Sequence, residues 1–137
     1  MKDGPFALSK ADFEQLSEFR YQMRRFEYFS EQAAHGEGIT PLQHLLLLHI
    51  KGYPDREWAT IGELAERLQA KHHGVVALVS RCEALGLVRR RHSDSDHRQV
   101  EVHLQAKGER LLARLAEMHR AELRSLADTF KVPRVDF

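Results

Sequence analysis

Residues 60–104 read TIGELAERLQAKHHGVVALVSRCEALGLVRRRHSDSDHRQVEVHL, and this stretch decides the fold. Thr60 followed by Glu63 is a capping-box signal, which predicts that a short helix begins there. The turn QAK separates it from a second helix, HHGVVALVSRCEAL, which Gly86 is placed to end. In VEVHL the apolar period changes from about 3.6 to about 2 residues, so two strands with the charged tip SDSDHR follow the helix pair.

The second helix of this pair has one apolar side and one small, polar side. Its predicted inner side consists of Val75, Val76, Leu78, Val79, Cys82 and Leu85. The opposite side consists of His73, Gly74, Ala77, Ser80 and Arg81. Two helices followed by a strand hairpin form a winged helix-turn-helix, which places its second helix in the major groove of DNA. We therefore predict a mainly α fold, of the α+β winged helix-turn-helix class.

Basic charge is concentrated in the same part of the chain. Residues 67–98 contain seven Lys and Arg against three Asp and Glu, whereas the whole chain has a net charge of +1. His72, His73, His92 and His97 would add charge beside a polyanion, because phosphates favour the protonated ring. Such a block is an electrostatic signature of nucleic-acid binding, although ordinary soluble proteins also carry basic faces.

A further helix and a short strand are predicted ahead of the helix pair. Thr40 and Pro41 are a cap and a first-turn proline, and they begin a helix that Gly52 is placed to end. Its segment LQHLLLLHI is apolar nearly all round, which predicts a central buried helix. The segment EWAT predicts a short strand at the edge of the hairpin. We assign residues 40–104 to the winged helix-turn-helix region.

Long helices with apolar stripes are predicted on both sides of this region. Apolar residues recur at three and four residues in 9–35 and again in 106–130. Both helices are longer than the middle region needs, which suggests a dimerisation layer, although packing within one monomer would use the same stripes. We expect residues 1–137 to form a single unit.

Composition and motifs exclude several classes of protein. The longest apolar run, Leu45 to Leu48, is far shorter than the roughly 20 residues of a membrane span, and the first twenty residues contain no secretory signal. We therefore expect no membrane partner and a cytoplasmic, nucleoid-associated protein. Cys82 is the only cysteine, so no intramolecular disulfide or cysteine-based zinc site is possible. Without a glycine-rich phosphate loop or a G-x-S-x-G motif, neither an enzyme nor a cofactor is expected.

Several short motifs in this order resemble the MarR (multiple antibiotic resistance regulator) family of bacterial transcription factors. The family pattern has a Leu-Ala pair in its third helix, an exit R-L-E-x-x-G-L-V-x-R from the recognition helix, and a wing D-x-R before L-T-x-x-G. The matching pieces of this sequence are Leu64-Ala65, Arg81 to Val88, Asp96-His97-Arg98, and Leu104 to Gly108. The resemblance extends over nearly the whole chain and is densest over residues 60–112.

The resemblance implies a homodimeric repressor that binds a pseudo-palindromic operator on double-stranded DNA and is released by a small-molecule effector. Arg98 matches the arginine that family members insert into the minor groove, and Asp96 is expected to orient it or to pair with Arg81. His72 and His73 are the expected base readers, because several neighbouring side chains are too small to hydrogen-bond bases. The DNA-binding residues implied are Lys71, His72, His73, Gly74, Ala77, Ser80, Arg81, Arg89, Arg91, Asp96 and Arg98.

The chain also departs from the family pattern at three places. Gln105 replaces the usual threonine, so the last helix is expected to lack a side-chain cap. Ser93-Asp94 replaces the familiar Asp-Pro of the wing, which predicts a looser turn with an acidic tip. The ending KVPRVDF replaces a further short helix, which leaves the extent of the dimer interface open.

Other interpretations stay open at this point. The small face of the recognition helix would also suit a winged protein-interaction module that does not read DNA. Nine histidines suggest a zinc-responsive regulator, but His44 and His49 are five apart and no HExxH motif occurs, so we predict no metal site. Cys82 is expected to be a small core residue rather than a redox sensor. An effector pocket is a possible use of Phe19, Phe26 and Phe29, with core packing as the alternative.

Overall fold

The computed structural model describes residues 7–96 and 98–134 as five helices and three short strands. In chain order the elements are α1 (Lys10–Gly36), α2 (Pro41–Lys51), β1 (Trp58–Thr60), α3 (Ile61–Leu68), α4 (His72–Ala84), β2 (Val88–His92), β3 (Val100–Leu104) and α5 (Ala106–Leu126). Within the described ranges, no helix is both long and apolar enough to cross a membrane. His97, in the predicted wing tip, lies outside the described residues.

Local sequence signals fix where three of the helices begin. Ser9, Thr40 and Thr60 each form a capping box with the residue three positions later, so two backbone N–H groups are satisfied at each start. The first residue of α5 follows Gln105, which makes no side-chain cap, as the sequence predicted. Instead, Gln105 Nε2 donates to the Val88 carbonyl at 2.8 Å and ties α5 to the sheet.

The three strands form one antiparallel sheet with the order β1-β3-β2. Trp58 lies opposite His103 in β3, and the other side of β3 pairs Val102 with Arg90 in β2. The predicted edge strand and hairpin are therefore both present. Gly86, at φ +76°, adopts the left-handed conformation that ends α4 and turns the chain into β2.

The core lies where α2, α3, α4 and the inner face of the sheet meet. Its largest fully buried side chains are Leu46, Leu47, Ile50, Leu64, Leu87, Leu115, Val75, Val79, Val88, Val102 and Cys82. Gly108 allows α5 to approach this core, because a Cβ at that position would lie 2.2 Å from the Leu87 carbonyl oxygen. The third helix, α3, buries Ile61 and Leu64 against this core.

Three expectations about burial are wrong. The segment LQHLLLLHI is not enclosed all round: Leu42 is 51% exposed and Leu45 and Leu48 are also exposed, because the core covers only the side of α2 that carries Leu46, Leu47 and Ile50. Val76 and Leu85 of α4 are exposed, because the buried stripe of that helix is narrower than the apolar one. Glu101 is buried where alternation predicted a solvent-facing residue, since its carboxylate contacts His103 Nε2 at 2.9 Å.

Helices α1 and α5 pack together in a layer beside the winged region. Arg114 of α5 forms an ion pair with Glu37 at 3.1 Å, and the Phe19 ring lies 5.6 Å from that of Phe130. Beyond α5 the chain returns along α1, where the Arg134 N–H donates to a Gln15 side-chain oxygen at 3.2 Å. Large apolar side chains of this layer remain exposed, namely Phe13, Tyr21 and Tyr28 on α1 and Met118 and Leu123 on α5.

Candidate nucleic-acid interface

The recognition helix α4 presents its small, polar side to solvent. Its N-cap residue makes no side-chain hydrogen bond, so the first-turn backbone N–H groups are not capped by a side chain and can receive an anion. All seven residues predicted for this surface are exposed: Lys71, His72, His73, Gly74, Ala77, Ser80 and Arg81. The helix is held from behind by the buried side chains of Val75, Leu78, Val79 and Cys82.

The wing tip carries Arg98 with its side chain 96% exposed. Asp96 contacts this residue twice: its Oδ1 accepts the Arg98 backbone N–H at 3.0 Å and lies 3.6 Å from the guanidinium Nε. Of the two partners that the sequence left open for Asp96, the structure therefore pairs it with Arg98 and not with Arg81. The contact aligns the backbone and leaves the end of the guanidinium in solvent.

A buried hydroxyl organises the loop between the two wing strands. The Ser93 Oγ accepts the backbone N–H groups of Ser95 at 3.3 Å and of Asp96 at 3.4 Å, and the Ser93 N–H donates to the Gln99 carbonyl at 3.1 Å. Ser93 is 5% exposed. The substitution of the familiar Asp-Pro by Ser93-Asp94 thus leaves a turn closed by side-chain to backbone bonds.

Arg90, the middle residue of the RRR run, is the functional candidate that sequence reasoning missed. Its guanidinium reaches α4, where it donates to Glu83 Oε1 at 2.9 Å, to the Val76 carbonyl at 2.9 Å and to Ser80 Oγ at 2.7 Å. Glu83 also accepts the Arg90 backbone N–H at 2.8 Å. Strand alternation carries the missed signal: Val88 points into the core, so the residue two positions later shares its face.

The two outer arginines of the run lie on the other face of the sheet, because successive strand residues alternate. Arg89 is opposite His103, whose ring stacks on Trp58 with centroids 6.1 Å apart. Arg91 forms an exposed ion pair with Asp94 at 3.0 Å. The structure therefore places Arg89 and Arg91 on the face of the sheet away from α4, and their role as DNA contacts stays a prediction.

A groove of about 420 Å³ runs between the recognition helix and the wing. One wall is the start of α3, and the other is formed by His72 and Val76 of α4 with Arg90 and Arg98 of the wing. Three of these four side chains are arginine or histidine. The groove therefore joins the two predicted DNA-contacting elements in one continuous surface.

The comparison with known families agrees with this geometry. A family model described as MarR family matches residues 37–99, from the end of α1 to the wing. This winged region is therefore similar to proteins of the MarR family. The HTH-type transcriptional repressor MdtR of Bacillus subtilis (strain 168) is 29% identical over 73 residues, which cover 53% of this chain and 45% of MdtR. The matched part is thus less than half of that relative.

Solved structures of MarR-family proteins share the fold. AbsC, a MarR family transcriptional regulator from Streptomyces coelicolor, aligns with a TM-score of 0.76 at 19% identity, covering 92% of this chain and 84% of AbsC. A mutant of S. aureus MepR bound to an oligodeoxyribonucleotide aligns with a TM-score of 0.67 at 19% identity, covering 82% and 81% of the two chains. The predicted mainly α winged helix fold is confirmed.

The chain also has an apolar cavity of about 560 Å³ where α1, α2 and α5 meet. It is lined by Phe26, His44, Leu48, Leu112, Ala116, His119, Arg120, Leu123, Arg124 and Ala127. Of the three aromatic residues suggested for a pocket, Phe26 lines the cavity and Phe29 contacts His119 edge-on, with centroids 5.4 Å apart. Phe19 packs against Phe130 instead.

Two histidines meet at the wall of this cavity. The rings of His44 and His119 lie with centroids 5.0 Å apart, and His119 bonds the Leu115 carbonyl at 2.7 Å and Ser30 Oγ at 2.8 Å. The Nδ1 atom of His44 is buried and finds no hydrogen-bond partner among the described residues. Burial, and next the neighbouring His119, lower the pKa of His44 to about 4, so this ring is neutral at physiological pH.

Within the described ranges we find neither a metal-binding cluster nor an accessible cysteine thiol. Among residues 7–96 and 98–134, no group of three or more His, Cys, Asp or Glu side chains is arranged to hold a metal ion. Cys82 is fully buried, and this burial raises the pKa of its thiol to about 11. A thiol in this setting reacts slowly with oxidants, because the thiolate is the reactive form.

Proposed function

We propose that this chain is a DNA-binding transcription regulator, a homodimeric repressor that binds a pseudo-palindromic operator. The observation that carries the proposal is the continuous surface formed by the exposed side of α4, the groove and Arg98 at the wing tip. A helix fits the major groove of DNA, and an arginine on a wing fits the adjacent minor groove. The fold shared with MepR, which was solved with an oligodeoxyribonucleotide, supports the same assignment.

Each part of this surface has a distinct role in the proposal. His72 and His73 lie at the start of α4, where the free backbone N–H groups favour phosphate and the side chains reach base edges. Gly74 and Ala77 are exposed and small, so they allow the helix to approach the bases closely. Arg98 enters the minor groove, where the electrostatic potential is most negative when the groove is narrow.

In the proposed dimer, two copies of the chain associate through the layer formed by α1 and α5. Exposed apolar side chains of this layer, such as Tyr28 and Leu123, would be covered by a second copy of the chain. A two-fold dimer places its recognition helices about 34 Å apart, one turn of DNA, and therefore binds an inverted repeat.

In the proposal, a small-molecule effector releases the protein from DNA. The cavity between α1, α2 and α5 joins the dimerisation layer to α2 of the winged region, so a ligand there would contact both. An effector acts only if it binds one spacing of the recognition helices better than the other. The cavity of about 560 Å³ has the size of a small-molecule site.

Selection of DNA from a random pool by the purified chain tests the proposal. The expected result is an enriched inverted repeat with half-sites about one helical turn apart. Arg98→Ala should lower affinity for that DNA and leave the dimer intact, since the Arg98 side chain is almost fully in solvent. The matched control is Lys131→Ala, which removes the same charge from the segment after α5 and should bind normally. Failure to enrich any DNA would refute the assignment and favour a winged protein-interaction module.

A further inference from the structure

We propose that Arg90 is a positioning residue that fixes the wing to the recognition helix, a role that rests on the proposed DNA binding. Arg90 belongs to β2, yet its guanidinium donates to three acceptors on α4 that are spread over two turns: Val76, Ser80 and Glu83. The backbone N–H of Arg90 adds a fourth bond to Glu83. No other side chain of the described wing residues is bonded to α4 at so many points.

A protein that contacts both grooves of DNA needs a fixed distance between its wing and its recognition helix. The base-reading face of α4 and the wing residue Arg98 enter different grooves of the same duplex, so a shift of one against the other misaligns both. Arg90 is suited to prevent such a shift because the planar guanidinium has several donors in a rigid fork. Its side chain is 27% exposed, so its charge-assisted bonds are partly shielded from water.

Arg90 also sets the hydrogen-bonding direction of Ser80. The Ser80 oxygen accepts from Arg90 at 2.7 Å, so the hydroxyl hydrogen of Ser80 remains available to donate to another group. Because Ser80 is exposed on the proposed reading face, its outward partner would be an acceptor on a base edge, such as guanine N7 or O6. Loss of Arg90 should therefore weaken specific binding more than non-specific binding.

The geometry distinguishes this role from a direct phosphate contact. The charge of Arg90 is already paired with Glu83 Oε1 at 2.9 Å, and its Nη2 atom is committed to two acceptors of α4. Neutralisation of a phosphate releases a counterion and steepens the salt dependence of binding, by about 0.9 in the log-log slope. A positioning residue changes affinity and leaves that slope unchanged.

The test uses Arg90→Lys and Glu83→Ala in the full chain, with the selected DNA titrated at several salt concentrations. Arg90→Lys keeps the charge but loses the fork, and Glu83→Ala removes a negative charge, which by simple electrostatics would tighten DNA binding. We expect both to bind specific DNA about tenfold or more weakly, with an unchanged salt slope and little change in binding to random DNA. Arg98→Ala provides the contrast, because it should lower affinity and slope together.

Thermal unfolding of each variant shows that it is folded at the assay temperature, which is set well below the lowest midpoint. Wild-type affinity in Arg90→Lys, or tighter binding in Glu83→Ala, would overturn the positioning role while the proposed function stands. A third variant, Arg90→Gln, removes the charge, and a salt slope shallower by about 0.9 in that variant would assign Arg90 to phosphate contact instead. If the wild-type chain binds no DNA at all, the proposed function fails and the role of Arg90 fails with it.

Discussion

Substitution of Gly108 by alanine should destabilise the chain, although alanine is ordinarily the better helix residue. Gly108 is the third residue of α5 and faces the start of β2. An added Cβ would lie 2.2 Å from the Leu87 carbonyl oxygen and 3.1 Å from its carbonyl carbon, both backbone atoms that cannot rotate away. Relief of this contact requires a separation on the order of 1 Å between α5 and the chain at Leu87.

The loss of stability can be estimated from the hydrogen bond that this separation would break. The same Leu87 oxygen accepts the Gln105 backbone N–H at 2.9 Å, and a bond stretched by about 1 Å is no longer a hydrogen bond. Overpacking costs about 1–3 kcal/mol and the lost bond about 1 kcal/mol, against a helix-propensity gain of about 1 kcal/mol. We therefore expect Gly108→Ala to lower the free energy of unfolding by about 1–3 kcal/mol.

Gly62→Ala is the matched control, because Gly62 is a helical glycine whose added Cβ would meet nothing within 4 Å. It should raise the free energy of unfolding by up to about 1 kcal/mol. Urea denaturation at one fixed protein concentration measures both variants, since dimer formation would make stability concentration-dependent. Equal or greater stability of Gly108→Ala would refute the close approach of α5 to Leu87.

Three further predictions concern buried groups. His44→Met should flatten the pH dependence of unfolding: the wild type gains up to about 3 kcal/mol as pH rises from about 4 to 6.5, because the depressed pKa of His44 keeps the folded ring neutral. Equal slopes of unfolding free energy against pH in the two chains would contradict this. Cys82 in the native chain should react with a thiol reagent at pH 8 about a hundredfold more slowly than in urea, and rapid native labelling would show that it is accessible. Ser93→Ala should weaken DNA binding several-fold in a fluorescence anisotropy titration, with little loss of thermal stability, because only the wing turn loses its acceptor. Unchanged affinity in Ser93→Ala would show that the hydrogen-bonded wing turn is not needed for DNA binding.

Features with local causes were predictable from the sequence. The capping box at Thr60, the glycine at position 86 and the alternation in β3 each specify backbone geometry within a few residues, and the structure has the elements that they predicted. The exposed side of α4 follows from helical spacing in the same way. The contact between Asp96 and Arg98 is also local, and it was one of the two pairings that the sequence left open for Asp96.

Features that depend on which surfaces meet were not predictable. The run of four leucines in α2 looks the same whether one side or all sides are covered, so Leu45 and Leu48 were wrongly expected to be buried. The partners of Arg90 lie seven to fourteen positions away, on another element. Glu101 is buried because His103 provides a partner, and strand periodicity alone gives no sign of such a pair.

The measurement that tests the central claim most directly is the affinity of the purified chain for the DNA upstream of its own gene as salt concentration is varied. A protein that contacts both DNA grooves through a basic surface should bind tightly at low salt. The logarithm of its affinity should fall linearly with the logarithm of the salt concentration. It should also bind that DNA at least a thousandfold or so more tightly than random sequence. No affinity, or an affinity unchanged between low and high salt, would contradict the assignment of α4 and the wing as a DNA-reading surface.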